Sequence, residues 1–115
     1  RRSRGKNFDW LILKCAVSGV IEKLQIDTHH FKGNYPDKCS VQAGYVKVNS
    51  SPKNIVKKSK SWKFLLGKSK LKAHKEHNFK ISSNNKRIVN YIRINIFPDG
   101  GISRFRIFGK KIWKT

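Results

Sequence analysis

The chain has 115 residues, the size of a single domain that can bury a modest core of its own. Hydrophobic residues make up 37% of the sequence, so we expect a folded rather than a disordered chain. No apolar run approaches the roughly 20 residues of a membrane span, and no signal-peptide pattern opens the chain. These features exclude an integral membrane helix and predict a cytoplasmic protein.

The strong positive charge has two interpretations. With 27 Lys and Arg against 6 acidic residues the net charge is +21, and the segment 38–75 contains no Asp or Glu. Such a field attracts phosphate backbones, so nucleic acid or another anionic surface is an alternative partner through non-specific charge. The other interpretation is an AT-rich coding sequence, which enriches Lys, Asn and Ile. Lys greatly outnumbers Arg, whereas specific readers of nucleic acid rely more on Arg.

The cysteines and histidines predict neither a disulfide nor a metal site. Cys15 and Cys39 each lie in or beside a strand-like run, and without a secretory signal we expect free, buried thiols. The spacing of the four histidines matches no zinc pattern, so no native metal site is predicted. These histidines are His29, His30, His74 and His77.

The hydrophobic pattern has a period of two residues, which is typical of strands. It predicts about seven strands, at residues 9–17, 20–28, 39–48, 62–71, 77–82, 91–97 and 102–109. Residues 31–38 read as a loop, and the Lys-rich stretch 49–61 is predicted to be a mobile surface loop. Trp10 and Trp62 are expected in the core. Many short strands separated by turn signals indicate an antiparallel sandwich or barrel.

The stretch NIFPDGGISRFRIFG, residues 95–109, suggests a hairpin. If Gly100 and Gly101 form a two-residue turn, Asn95 faces Arg106 and the isoleucines of the strand 91–97 lie on the core face. A Pro-Asp-Gly turn with a bulge at Gly100 is an alternative, and the two strands need not pair directly. Alternation predicts that the polar face, with Arg93 and Asn95, is a solvated surface.

Four ordered blocks resemble the allantoicase family, whose enzyme hydrolyses allantoate to ureidoglycolate and urea in purine degradation. They are RRSRGKNFDWLILK, GVIEKLQIDTHHFKGNYP, WKFLLGKSKL followed by HNFKI, and RINIFPDGGISRFRIFG. Together, at near-family spacing, they make the resemblance specific. It implies an all-β fold, a galactose-binding-like jelly-roll β-sandwich, in which residues 1–115 form one allantoicase-type repeat.

The sequence departs from the family pattern in three respects. The family enzyme carries two repeats, so the resemblance implies a second repeat or another subunit as partner, and we expect this chain to be truncated at its N-terminus. A Leu-Leu-Pro-Lys-Ser-Pro-Leu-Gly pattern reads LLGKSKLK here, with Gly67, Lys70 and Lys72 replacing two prolines and a glycine. The Lys-rich stretch 49–61 is also not family-like.

Allantoate, the substrate that the resemblance implies, is a carboxylate with two ureido groups on one carbon. The planar fork of Arg suits the carboxylate, and the ureido groups need hydrogen-bond donors and acceptors. Asn side chains and the backbone amides of the glycine loop would supply these. The predicted substrate-binding residues are Asn34, Arg93, Asn95, Gly100, Gly101 and Arg104.

Expulsion of urea needs a general acid, and hydration of the carbon needs a general base or an activated water. Asp27, His77 and Asp99 are the predicted catalytic residues. Each has a structural alternative: a cap of the following loop for Asp27, a turn residue for Asp99, and a half-buried strand histidine for His77. No cofactor is predicted, although a divalent metal is another source of an activated water. Binding without catalysis is a further alternative, because a fold does not imply a function.

Overall fold

The described part of the molecule consists of one antiparallel sheet and one α-helix, which lies between two of its strands in the chain. The computed structural model describes residues 8–29, 33, 35–98 and 100–111. The elements in chain order are β1 (Asp9–Asp27), β2 (Lys38–Gly44), α1 (Pro52–Ser59), β3 (Lys63–Lys70), β4 (Glu76–Lys80), a 3-10 turn (Ser83–Asn85), β5 (Ile88–Phe97) and β6 (Arg104–Lys111).

The long strand β1 takes part in both layers of a sandwich. Its first part, from Asp9 to Lys14, pairs with β5, and its last part pairs with β4 on one side and β6 on the other. The register with β5 shifts between Lys14 and Gly19, where the sheet curls. One layer therefore has the order β3-β2-β5-β1, and the second consists of β4, the end of β1, and β6. The predicted all-β sandwich is confirmed, but the predicted strands 9–17 and 20–28 are one continuous strand.

Apolar side chains from both layers meet between them and form the core. The larger cluster comprises Ile21, Leu24, Val41, Ala43, Leu65, Ile81, Val89, Ile92 and Ile94. The smaller cluster comprises Ile26, Cys39 and Leu71, with the partly buried Ile96 and Ile102 packed against it. Each fully buried aliphatic side chain contributes about 1.5–3 kcal/mol. The smaller cluster also brings the ends of β1, β2 and β5 to the same end of the sandwich.

The predicted hairpin between residues 91–97 and 102–109 is wrong. The strands β5 and β6 do not pair with each other, because each bonds to a different part of β1: Ile96 lies opposite Asp9, and Arg104 lies opposite Asp27. Asn95 therefore does not face Arg106. The connection contains a cis Phe97–Pro98 peptide bond and a positive φ of 131° at Gly100, a conformation that favours glycine.

The predicted surface loop 49–61 instead contains the helix α1. Ser51 is its N-cap, with its Oγ accepting a hydrogen bond from the Asn54 N–H at 3.2 Å, and Pro52 occupies the first turn. Ser59 is buried and Ile55 is half-buried, whereas the lysines are exposed, so the helix is amphipathic. None of the helices in the described part of the chain has the length and apolarity to cross a bilayer.

Replacement of Gly44 by Ala is expected to destabilise the protein by about 1–3 kcal/mol. A Cβ at this position would lie 2.6 Å from atoms of the Trp62 ring, which packs on the bare backbone of β2. Chemical denaturation of Gly44→Ala measures the loss. Gly67→Ala is the matched control: a Cβ there meets nothing within 4 Å, so this change should be neutral or stabilising by up to about 1 kcal/mol. Equal stability of the two variants would contradict the prediction.

The two cysteines are free, as predicted, and they should differ in reactivity. Burial raises the pKa of the Cys39 thiol to about 12 and also raises the pKa of the half-buried Cys15. Because the thiolate is the reactive form, Cys39 should react with a disulfide reagent at pH 8 only after denaturation, and Cys15 should react slowly in the native protein. Titration of two thiols per native chain at the rate of a free thiol would contradict this.

Candidate functional site

A layer of polar side chains lies buried on the outer face of β2 and β5. Ser40, Gln42, Arg93 and Asn95 are only 2%, 4%, 3% and 5% exposed. They point away from the apolar core, but α1 and the segment after it cover them. The predicted solvated face is therefore wrong, because alternation along a strand does not reveal a helix that covers the polar side.

Hydrogen bonds fix this polar layer. The Asn95 amide nitrogen donates to Ser40 Oγ at 3.2 Å and to Gln42 Oε1 at 3.0 Å. Gln42 Nε2 in turn donates to the carbonyls of Lys60 and Trp62, at 3.1 and 2.9 Å. The network ties β5 to β2 and ties both strands to the chain that leaves α1. Both polar atoms of the Gln42 amide are used within the protein.

Arg93 is held on three sides. Its Nε donates to Asn95 Oδ1 at 2.9 Å, and its Nη1 donates to Ser59 Oγ at 2.8 Å. The centre of the guanidinium lies 4.6 Å from the centroid of the Trp10 ring, in cation–π contact. Ser59 is fully buried and donates to the Val56 carbonyl at 2.6 Å, so α1 fixes the position of its oxygen. The guanidinium is thereby locked in one orientation.

The charge of Arg93 has no carboxylate partner in the described part of the chain. Burial lowers the pKa of the guanidinium, which nevertheless remains protonated at neutral pH. Its Nη2 has no acceptor among the described residues, and within the same residues no fully buried side-chain polar atom lacks a partner. This nitrogen must therefore be accessible from the adjoining cleft.

The cleft beside Arg93 has a volume of about 610 Å³. We call it the Arg93 cleft, and it is lined by Phe8, Trp10, Ser40, Gln42, Val56, Lys60, Phe64, Gly67, Lys68, Arg93, Asn95 and Phe97. Its walls combine aromatic rings with cations. No Asp, Glu or His among the described residues lines it. This lining would complement an anion with planar groups, and among the described lining residues no carboxyl or imidazole group is present to act as a general acid or base.

A second polar group lies at the end of β1, and we call it the Asp27 corner: Asp27, His29 and Arg104. Asp27 Oδ1 accepts a hydrogen bond from the His29 backbone N–H at 2.8 Å and forms an ion pair with the His29 ring. The loop cap predicted as the alternative for Asp27 is thus present. Burial raises the pKa of Asp27, but the hydrogen bonds and charge of His29, together with the charge of Arg104, outweigh it and leave the pKa lowered.

His77 is buried between the strands and uses both ring nitrogens. Its Nδ1 lies 3.0 Å from the Ile26 carbonyl oxygen, and its Nε2 accepts from the Lys72 N–H at 2.9 Å. These partners assign the neutral tautomer with the proton on Nδ1. His77 therefore links β4 to β1 and to the chain before β4, and transfer of its proton would require breaking one of these bonds.

The predicted site residues fall into separate groups. Arg93 and Asn95 meet in the Arg93 cleft, and Asp27 and Arg104 meet at the Asp27 corner, while Gly100 and Gly101 lie in the connection from β5 to β6. Asn34 and Asp99 lie outside the described residues. Among these described residues no group of three or more His, Cys, Asp or Glu side chains could hold a metal ion.

Sequence reasoning missed Ser40, Gln42 and Ser59, and it placed Trp10 in the core. Ser40 and Gln42 alternate with Val41 and Ala43, which was the available signal for a polar face on β2. Trp10 is instead half-buried and packs on Arg93. Nothing in the spacing of Ser59 indicated its contact, because that contact depends on how α1 docks.

Residues 1–112 match the family model of the allantoicase repeat. The chain belongs to the allantoicase repeat family. A probable allantoicase of Burkholderia mallei is 46% identical over 109 residues, which cover 95% of this chain and 32% of that protein. The crystal structure of allantoicase from Saccharomyces cerevisiae superposes with a TM-score of 0.72 at 32% identity, over 96% of this chain and 30% of that one.

A chitosan-binding module from a Paenibacillus chitosanase/glucanase shares the fold alone. Its TM-score is 0.63 at 12% identity, and the match covers 91% of this chain and 71% of that module. This neighbour agrees with the galactose-binding-like jelly roll that the sequence predicts. The chain spans about a third of the length of the curated allantoicases it matches.

The lowered pKa of Asp27 predicts acid sensitivity. A group whose pKa is lower in the folded state stabilises that state above the ordinary value of 3.8, and the stabilisation disappears as pH falls through the folded pKa. Asp27→Asn keeps an oxygen for the His29 N–H but removes the charge. The difference in unfolding free energy between wild type and variant should decline as the pH falls below 3.8. A difference that persists unchanged to pH 2 would contradict this origin.

Proposed function

We propose that this chain takes part in the hydrolysis of allantoate to ureidoglycolate and urea, and that the Arg93 cleft binds the allantoate carboxylate. The observation that carries the proposal is a buried guanidinium with no carboxylate partner in the described chain, held rigid and accessible through its Nη2. The family membership supports the substrate class.

Binding a carboxylate would compensate the cost of burying the Arg93 charge. A buried charge is expensive unless it is paired, so the site gains from an anionic ligand. Lys60 and Lys68 add positive potential at the cleft, which favours capture of an anion. The rings of Trp10 and Phe97 offer flat apolar faces to the planar ureido groups. Asn95, predicted to contact substrate, has both amide atoms engaged, so we assign it the orientation of Arg93.

The chemistry needs groups that the described cleft lacks. Water must add to the central carbon while the C–N bond breaks, and the departing urea nitrogen must receive a proton. Since no acid or histidine among the described residues lines the cleft, we propose that a second repeat or another subunit completes the site. The catalytic roles of Asp27 and Asp99 stay predictions, and His77 is better suited to holding the fold. A cytoplasmic location likewise stays a prediction.

The test separates binding from turnover. Calorimetry with allantoate should show binding to this chain, weakened about 10- to 100-fold in Arg93→Gln because a charge-assisted pair is lost. Ser59→Ala should weaken binding about 2- to 10-fold by freeing one side of the guanidinium. Arg104→Gln is the control, because Arg104 lies outside the cleft. If Arg104→Gln weakened binding more than Arg93→Gln, the carboxylate would bind at the Asp27 corner instead.

Urea release by the same samples decides the chemistry. Binding without urea release, followed by release when the remaining two thirds of the family length is supplied, is the expected result. Binding that never leads to urea release would indicate a sandwich that binds the ligand but does not catalyse. Absence of allantoate binding to the folded wild-type chain would contradict the proposal.

A further inference from the structure

One segment of the chain is rich in lysine and contains no acidic residue. Residues 38–75 form β2, α1 and β3 and contain eleven Lys, no Arg, no Asp and no Glu. The strand β3 is the edge of its layer, and α1 lies against the outer side of β2. The lysines of this segment therefore lie on the helix that covers β2, on the edge strand and on their connections.

The stability of the helix does not explain every lysine of α1. Lys53 and Lys57 are spaced i, i+4 and are exposed with Lys58, and the first turn contains no acidic residue. Lys57 and Lys58 suit the negative end of the helix dipole, but Lys53 lies near the positive end, where a cation is unfavourable. No described lysine forms an ion pair with a described acid. No described acid therefore neutralises the charges of Lys53, Lys57 and Lys58.

The edge strand β3 adds charges and an exposed aromatic ring. Lys63, Lys68 and Lys70 are exposed, and the Phe64 side chain is 47% exposed. Phe64 lies opposite Gln42 on the outer face of the sheet, whereas Lys63 lies opposite the core residue Ala43. Lysines on an edge strand hinder pairing with another sheet, which accounts for those of β3 but not for those of α1. An exposed phenylalanine among lysines is instead suited to a ligand with both anionic groups and flat rings.

We infer that this basic face binds single-stranded nucleic acid without sequence preference. The basic face consists of Lys53, Lys57, Lys58, Phe64, Lys68 and Lys70. The lysines would contact successive phosphates, and a base would stack on Phe64. A single strand fits better than a duplex, because only unpaired bases can stack on a side chain. The absence of Arg from the segment indicates charge recognition rather than readout of base edges. Phe64 and Lys68 also line the Arg93 cleft, whereas Lys53, Lys57, Lys58 and Lys70 lie outside it.

The test uses two triple variants that each remove three positive charges. Fluorescence anisotropy would follow a labelled 20-nucleotide single strand over a salt series. Lys53→Gln, Lys57→Gln and Lys58→Gln together should lower the slope of log K against log salt by about 2, since each contact contributes about 0.7. The matched control combines Lys14→Gln, Lys80→Gln and Lys110→Gln, which are exposed on strands outside the basic face. Its slope should change by less than half as much.

Two further measurements identify the ligand. Phe64→Ala should weaken single-strand binding about 5-fold or more while leaving the salt slope unchanged, because it removes stacking and no charge. Equal effects of the two triple variants would overturn the proposal, because binding would then follow total charge alone. Tighter binding of duplex, of polyglutamate or of vesicles containing anionic lipid than of the single strand would also overturn it.

Discussion

The burial of the Arg93 guanidinium beneath α1 is the constraint on which the outer half of the molecule depends. A charge removed from water must be matched by hydrogen bonds, and here Asn95 and Ser59 accept from it while the Trp10 ring packs on its face. The remaining polar side chains of β2 and β5 then serve to hold those acceptors in place. A layer that reads as surface along each strand is in fact a buried network.

The Asp27 corner and the Arg93 cleft differ in whether they leave a charged group without a partner of opposite charge in the described chain. At the Asp27 corner the carboxylate already accepts the His29 backbone N–H, contacts the His29 ring and lies near the charge of Arg104, so the group stabilises a loop. In the Arg93 cleft a cation keeps one accessible edge. An anionic ligand therefore has more to gain in the cleft. Among the described residues, the cationic anchor of the cleft is therefore separate from the carboxylates and histidines.

The inward and outward sides of the Lys-rich stretch 49–61 have different roles. Its inward side supplies Ser59, which orients Arg93, and its outward side supplies exposed lysines. This stretch, with Val56 and Lys60, thus forms one wall of the cleft. The β-sandwich beneath it is shared with allantoicases and, at the level of fold alone, with a carbohydrate-binding module.

The sequence by itself determined the all-β fold, the core isoleucines of β5, the free cysteines and the family, because strand periodicity and ordered motifs are local properties. It also contained the Ser-Pro start of α1, which the polar composition of 49–61 obscured. Only the tertiary structure decided that β1 separates β5 from β6, that α1 buries Arg93 and Asn95, and that both nitrogens of His77 are engaged. Each of these depends on contacts between residues distant in sequence, and alternation along a single strand contains no information about what covers its polar side.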